Sequence, residues 1–325
     1  LPELTTTGYP PRDLLLKKDF VAQNLAVLDR LAAATGKTAL LVGYVGENKS
    51  RPGRALTNDV ALLQHGKIVA TRTKTLLPTY DVFDEDRYFE PASENLPVDF
   101  ANGKIGLTVC EDIWNDENFW PERRYQNNPP MELVTAGAKI LFNVSASPWS
   151  LGKAKTPIVF CNAIGGNDEL IFDGNSMVFN SSGHLIAQAK LFGEDFVVVD
   201  TDSNAAIEFQ SASDIEKIHD ALVLGLRDYF QKCGFKAAVL GLSGGIDSAV
   251  VAVLAAEALG KENVHGVSLP SEFSSQHSLD DARILAENLG IQYDVIPIQT
   301  VFAATKQELK NLFSNRAEDT TEENI

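Results

Sequence analysis

The chain has 325 residues, is 44% hydrophobic and carries a formal net charge of −16, so it has the length for two domains of ordinary globular composition. That negative balance argues against nonspecific attraction to nucleic acid or to an anionic membrane surface. No apolar run has the length of a membrane span or the pattern of a secretory leader, and three widely spaced cysteines make no disulfide framework, so the cytoplasm is the expected compartment.

Residues 1–16 hold turn formers (Gly8, Pro10, Pro11) and one early carboxylate, Glu3. Residues 20–34 place Val21, Leu25, Leu28 and Ala32 on one helical face, with Gly36 as the stop. Residues 38–45 read as a buried strand. Residues 59–64 and 68–77 read as two strands joined by a turn at His65 and Gly66, with Lys74 near the end of the second. A turn-rich acidic stretch, 80–89, follows. Residues 105–109 form a strand that runs straight into Cys110. Residues 131–136 look helical, 140–144 form a strand and 145–150 a loop; 158–162, 176–179, 184–189 and 196–199 read as short strands.

Residues 201–213 are polar and read as a linker. Residues 215–232 are an amphipathic helix with Ile218, Leu222, Leu226 and Tyr229 on one face. Strand 237–240 then meets Ser243, Gly244 and Gly245, which break either regular period. Asp247 and Ser248 are N-cap-type residues ahead of helix 249–259. Strands 264–269 and 293–296 alternate with helices 278–288 and 301–313. This alternation predicts a doubly wound parallel sheet, whose ligands lie beyond the carboxyl ends of the strands. Ser243 and the polar segment 268–275 both fall there.

Serine hydroxyls, glycine amides and a helix N-terminus converge in residues 243–248, which makes an anion site. Asp247 beside it could hold a divalent cation against a phosphate. The Walker loop is excluded, because it needs a lysine in the turn. The nucleophile elbow G-x-S-x-G does match at 241–245, and would make Ser243 an acyl nucleophile served by His265 or His277. It leaves Asp247 and Ser248 unexplained. A plain capped turn is the third reading. The string Ser243-Gly244-Gly245-Ile246-Asp247-Ser248 resembles the pyrophosphate loop of the ATP pyrophosphatase superfamily. Those enzymes split ATP into AMP and pyrophosphate to activate a carboxylate or carbonyl. The resemblance implies that Gly241, Leu242 and these six residues bind ATP, with Asp247 on Mg²⁺.

In the first half the chemistry centres on Cys110. Cys161 and Cys233 read as small buried hydrophobes, but Cys110 ends a strand and is followed by Glu111 and Asp112. The segments around Glu3, Lys74 and Cys110, in that order, resemble the carbon–nitrogen hydrolase (nitrilase) superfamily over residues 1 to about 200. The resemblance implies a four-layer α-β-β-α sandwich and a Glu, Lys, Cys triad. The chemistry suits an amide: a thiolate attacks the carbonyl, Glu3 serves as general base, and Lys74 stabilises the oxyanion and favours the thiolate. Taken singly, Glu3 and Lys74 also read as solvated surface charges, and the whole half as an oligomerisation scaffold.

A nitrilase-type domain followed by a pyrophosphatase loop resembles the glutamine-dependent NAD synthetase family. Further matching strings stand at 80–89, 143–148, 165–174 and 221–229. The resemblance places Tyr80, Phe83, Glu85, Trp114, Ser147 and Lys153 around the glutamine substrate. Lys153 stands where some members have arginine, which keeps the charge and loses the bidentate fork. It further implies a glutaminase domain at 1–200, the linker at 201–213, and the first part of a synthetase domain at 214–325. The ligands implied are L-glutamine, ATP, Mg²⁺ and deamido-NAD, and the assembly a homo-oligomer. The link 148–157 is shorter than the family's, which carries a helix there. More residues are expected before Leu1 and after Ile325, the latter including most contacts to deamido-NAD. Another glutamine-fed ATP pyrophosphatase acting on a different acceptor is the nearest rival.

Overall fold

The structure, a computed structural model, describes residues 1–49, 52–101, 103–115, 124–147 and 159–310. Contacts divide the chain into two units, Leu1–Asp214 and Ile215–Ile325.

The first unit opens with helix α1 (Lys18–Ala34) and an antiparallel sheet of β1 (Leu40–Glu47), β2 (Leu56–Gln64) and β3 (Lys67–Thr73). A second sheet contains β4 (Val98–Phe100), β5 (Gly103–Val109), β6 (Ile140–Ser145) and β7 (Val159–Asn162), with helix α2 (Pro129–Thr135) between β5 and β6 in the chain. Strands β8 (Ile164–Asn167) and β9 (Leu170–Asp173) form a hairpin of their own, and β10 (Met177–Phe179) and β11 (Leu185–Gln188) complete the second sheet. Its order is β11-β10-β7-β6-β5-β4, with β5, β6 and β7 parallel.

The period of two along β2 shows how the layers stack. Val60 and Leu62 pack against Ile105, Leu107 and Val109 of β5 and Val144 of β6. Ala61 and Leu63 point the other way, into Leu28 and Ala32 of α1. With α2 lying on β5, the order is helix, sheet, sheet, helix, the predicted four-layer sandwich. Each fully buried Val or Leu contributes about 1.5–3 kcal/mol, so β2, apolar on both faces, anchors the sandwich. On β3, Ile68 and Val69 are 41% and 48% exposed and add far less.

Two expectations for the first unit need correction. The strand predicted over 68–77 stops at Thr73. Lys74 N–H still donates to Asn58 O (2.8 Å), but the next two amides leave the ladder for the carboxylate of Asp112. Residues 196–199 form no strand. Their composition favours one, yet β-propensity expresses fit to a pleated surface beside a partner, and here Phe196 and Val198 stand 90% and 85% exposed. Residues 207 and 210 pair instead with β11, Ile207 N–H to Leu185 O and Gln210 N–H to the side chain of Gln188.

The second unit runs α3 (Asp214–Cys233), β12 (Ala238–Gly241), α4 (Ile246–Leu259), β13 (Val264–Ser268), α5 (Gln276–Leu289), β14 (Gln292–Val295), α6 (Gln299–Leu309). The three strands are parallel, in the order β12-β13-β14. Their core joins Leu242 and Val264 to alanines of α4 and α5. Helix α5 is capped by Ser275, whose hydroxyl accepts from Ser278 N–H at 3.1 Å, and ends at left-handed Gly290. Helix α4 starts earlier than predicted: Gly245 is its N-cap, and Asp247 and Ser248 lie inside its first turn. Among the described residues, no helix is long and apolar enough to cross a membrane.

Candidate active site

Glu3 reaches the middle of the first unit because its backbone lies directly on β1. Gly43 N–H donates to Pro2 O at 3.1 Å. A Cβ at Gly43 would stand 2.4–2.6 Å from Pro2 O, Glu3 Cα and Leu4 N, so only glycine permits this approach. The Glu3 carboxylate is wholly buried. Its Oε1 accepts from Lys74 Nζ (2.8 Å) and Asn58 Nδ2 (2.7 Å), and its Oε2 from Ala146 N–H (3.0 Å).

Lys74, 0% exposed, also donates to Glu85 Oε1 at 2.7 Å. That same oxygen accepts from Tyr9 OH at 2.7 Å, and Glu85 Oε2 receives a longer bond from Asn58 Nδ2. One ammonium thus serves two buried carboxylates. Burial pulls the Lys74 pKa down, but Glu3, Glu85 and then Cys110 hold it well above the ordinary range of a lysine, so it stays charged. Burial pushes Glu85 up to about 7, against the downward pull of Lys74. The folded value exceeds the unfolded one, so this group's stabilising contribution is complete below pH 4.5 and is lost as pH rises through about 7. Glu85→Gln is therefore expected to flatten the fall in thermal midpoint between pH 5 and 8. An unchanged profile would show that another group titrates there.

Cys110 sits just past β5 in a left-handed backbone conformation, φ 41°. For a non-glycine residue that conformation costs about 1–3 kcal/mol and is kept only where the surroundings enforce it. Here they do. Asp112 Oδ2 accepts from Val109 N–H (2.9 Å), closing the turn around the cysteine, and Asn143 Nδ2 reaches Cys110 O at 3.4 Å. Asp112 is 2% exposed, and burial raises its pKa to about 6 despite three backbone amides that favour the charged form. Cys110 is buried with the cluster, close enough to Lys74, Tyr9 and Tyr80 to act on them electrostatically.

At the edge of this cluster Glu111 accepts from Tyr80 OH (2.8 Å) and Tyr125 OH (3.0 Å). The guanidinium of Arg124 lies 4.0 Å over the Tyr80 ring, and Phe83 meets that ring edge-on at 5.5 Å. Trp114 follows the turn at 110–113, its N–H on Glu111 O. Ser147 is buried next to Ala146, its N–H on Asn162 Oδ1 at 2.9 Å. Lys153 lies outside the described residues. The structure thus joins Glu3, Lys74 and Glu85 directly. It adds Tyr9, Asn58, Arg124 and Tyr125, which sequence reasoning did not select. Asn58 did leave a signal: it is polar and stands in β2 on the inward face with Val60 and Leu62.

In the second unit, residues 241–248 form a strand end, a glycine turn and a helix start. Ser243 Oγ lies 3.1 Å from Ser248 Oγ and accepts from Gly245 N–H at 3.2 Å, while Ser248 Oγ donates to Gly245 O at 2.9 Å. Leu242 is buried beneath, its carbonyl bonded by Ser268 Oγ at 2.6 Å. A nucleophile elbow needs a histidine on the serine. Here His265 is engaged with Asp294 and His277 with Asp281, and the Ser243 hydroxyl is turned to the loop itself. Gly244 is left-handed, φ 82°, and a Cβ there would lie 2.2 Å from Ser278 O at the start of α5. Gly244→Ala is expected to push the loop off α5 and to weaken the ATP binding that the sequence pattern implies by on the order of tenfold or more, which equals about 1.4 kcal/mol. Titration with ATP measures it; unchanged affinity would free Gly244 of any such role. Asp247 is exposed in the first turn of α4. Among the described residues no three His, Cys, Asp or Glu side chains are grouped to hold a metal. One carboxylate with substrate phosphates is nonetheless a usual hold on Mg²⁺, so the loop fits that ion only together with a nucleotide.

The sequence pattern of the carbon–nitrogen hydrolase family matches residues 1–210, and that of NAD synthase matches residues 218–325. The glutamine-dependent NAD(+) synthetase of Synechocystis sp. is 45% identical to the chain, over all of it and 62% of the relative. That of Thermotoga maritima is 37% identical over all of the chain and 63% of its own length. The chain thus spans a little over three fifths of the curated relatives it matches. Among solved structures, glutamine-dependent NAD+ synthetase from Acinetobacter baumannii in complex with ADP superimposes with a TM-score of 0.85 at 31% identity, covering 100% of this chain and 62% of that one.

Proposed function

Because the chain belongs to the carbon–nitrogen hydrolase family, and carries NAD synthase sequence behind that domain, we propose that it takes part in glutamine-fed NAD synthesis. The observation that carries this reading is the buried Lys74 shared by Glu3 and Glu85 beside Cys110, in a chain that also holds the 243–248 loop. Cys110 Sγ attacks the carboxamide carbon of L-glutamine. Glu3 takes the thiol proton and passes it to the leaving ammonia, and Lys74 Nζ faces the oxyanion. Water then attacks the thioester. Glu3 takes its proton and returns one to sulfur, releasing glutamate. Tyr80, Phe83, Glu85, Trp114, Ser147 and Lys153 are assigned to the rest of the substrate.

In the second unit the amides and hydroxyls of residues 243–248 hold the pyrophosphate part of ATP. The nicotinate carboxylate of deamido-NAD attacks the α-phosphorus, pyrophosphate leaves, and ammonia displaces AMP to give NAD. Bound Mg²⁺ would supply charge neutralisation for the triphosphate, with Asp247 as its protein ligand. The cytoplasm and a homo-oligomeric assembly complete the proposal.

The test is an assay of pyrophosphate and glutamate release with a panel of carboxylic acids. Stoichiometric release with deamido-NAD alone is expected, and equal turnover of another acid would overturn the assignment of acceptor. Asp247→Asn should slow synthesis from glutamine and from ammonium alike, by on the order of a hundredfold. Unchanged synthesis would remove Asp247 from the nucleotide site.

A further inference from the structure

We propose that Asp112 is a positioning residue of the glutamine-hydrolysing centre, whose carboxylate ties the backbone presenting Lys74 to the backbone presenting Cys110. The inference rests on the reading of Cys110 and Lys74 given above.

Lys74 follows β3 and Cys110 follows β5. These strands belong to different sheets, so no ladder of backbone bonds fixes one against the other. Asp112 spans the gap. Its Oδ1 accepts from Thr75 N–H (2.9 Å) and Leu76 N–H (2.8 Å), the two residues directly after Lys74. Its Oδ2 accepts from Val109 N–H (2.9 Å), the residue directly before Cys110. All three donors are main-chain groups, so the contact fixes where the two chain segments run. The carboxylate is buried, and buried bonds to a charged acceptor are among the strong ones.

The same bonds account for two local features. They take the amides of Thr75 and Leu76 out of the β3 ladder, which frees Lys74 to turn inward to Glu3 and Glu85. They also close the turn that holds Cys110 at its positive φ. Only a carboxylate can do both, because each of its oxygens is purely an acceptor. An amide has one oxygen and one NH₂ group. In Asp112→Asn, whichever way the amide turns, an NH₂ faces either Val109 N–H or the Thr75 and Leu76 amides, and one segment comes loose.

The experiment compares Asp112→Asn with the parent protein below the thermal midpoint of both. Glutamate release is followed against glutamine concentration, and the rate of Cys110 alkylation by iodoacetamide is measured without substrate. The expected result is a fall in kcat on the order of a hundredfold, the effect of a displacement of about an ångström. KM for glutamine is expected to stay within about twofold, and the alkylation rate to change. A variant that loses thermal midpoint but keeps kcat overturns the inference, since a purely structural carboxylate would behave so. A rise in KM at constant kcat also overturns it. If Asp112→Asn does not fold, Asp112→Ala is read the same way, because it removes the acceptor of all three amides. Failure of both to fold overturns the positioning role in favour of a structural one. Cys110→Ala runs alongside: if it still hydrolyses glutamine, the underlying reading fails, whereas its inactivity beside a fully active Asp112→Asn sinks only the present inference.

Discussion

Cys110→Ala will abolish the proposed release of glutamate from glutamine, by a factor on the order of 10⁴ or more, the scale of losing a covalent nucleophile. The neighbouring Glu111 does not take its place, because it is already bonded by Tyr80 and Tyr125. The substitution should leave the fold intact. Alanine is smaller than cysteine and no worse at the positive φ of this position, and the bonds that enforce the turn come from Asp112 and Asn143, which remain. The proposed synthesis of NAD, supplied with ammonium salts, should continue at the parent rate, since in that reading the nucleophile serves only to release ammonia. Glutamate release above a tenth of the parent rate would show that the reacting group is elsewhere.

Lys74→Met is expected to be the most destabilising single change in the first unit. The side chain is similar in length and apolar, so packing is nearly kept. What is lost is the only cation among the described contacts of Glu3 and Glu85. Leaving a buried charge without its partner costs about 3–5 kcal/mol, which for a unit of this size lowers the thermal midpoint by on the order of 10 °C. The sign of the pH dependence follows. Without the ammonium both carboxylates are easier to protonate when folded than when unfolded, so folding takes up protons and the deficit shrinks as pH falls from 8 to 5. Adding Glu3→Gln should recover part of the lost midpoint while glutamine hydrolysis stays absent. A deficit that does not change with pH, or a double variant less stable than Lys74→Met, would mean that Lys74 stabilises by packing rather than by charge.

Both sites were legible in the sequence to the extent that they are local. The loop at 243–248 is one uninterrupted string whose backbone path follows from its two glycines and the helix behind it. Glu3, Lys74 and Cys110 are far apart, and each was recognisable only through the few residues on either side. The four-layer arrangement was implied by the family resemblance alone; in the structure, apolar residues at consecutive positions of β2 face the two layers on either side.

What the sequence left open depends on partners distant along the chain. The resemblance placed Glu85 with the glutamine-binding residues; its bond to Lys74 was not legible, because a carboxylate in an acidic turn looks solvated until the fold closes over it. The end of β3 was misjudged because its cause is distant: residues 74–77 continue the strand pattern, and only Asp112, more than thirty positions away, withdraws the amides of Thr75 and Leu76. Residues 196–199 have strand composition, but a strand also needs a free neighbouring edge. The helix start at Gly245 rather than Asp247 reflects backbone geometry that side-chain preference reads only to within a few positions.

The bond from Ala146 N–H to Glu3 spans 143 positions, and that separation bears on how the protein is made. During synthesis at about 5–20 residues per second, Glu3 leaves the ribosome several seconds before its last partner has been translated. Lys74, Glu85 and Cys110 arrive in the interval, in that order. The carboxylate that is made first is completed last, so translation that pauses before residue 146 will hold a nascent chain whose most buried charges are still wet.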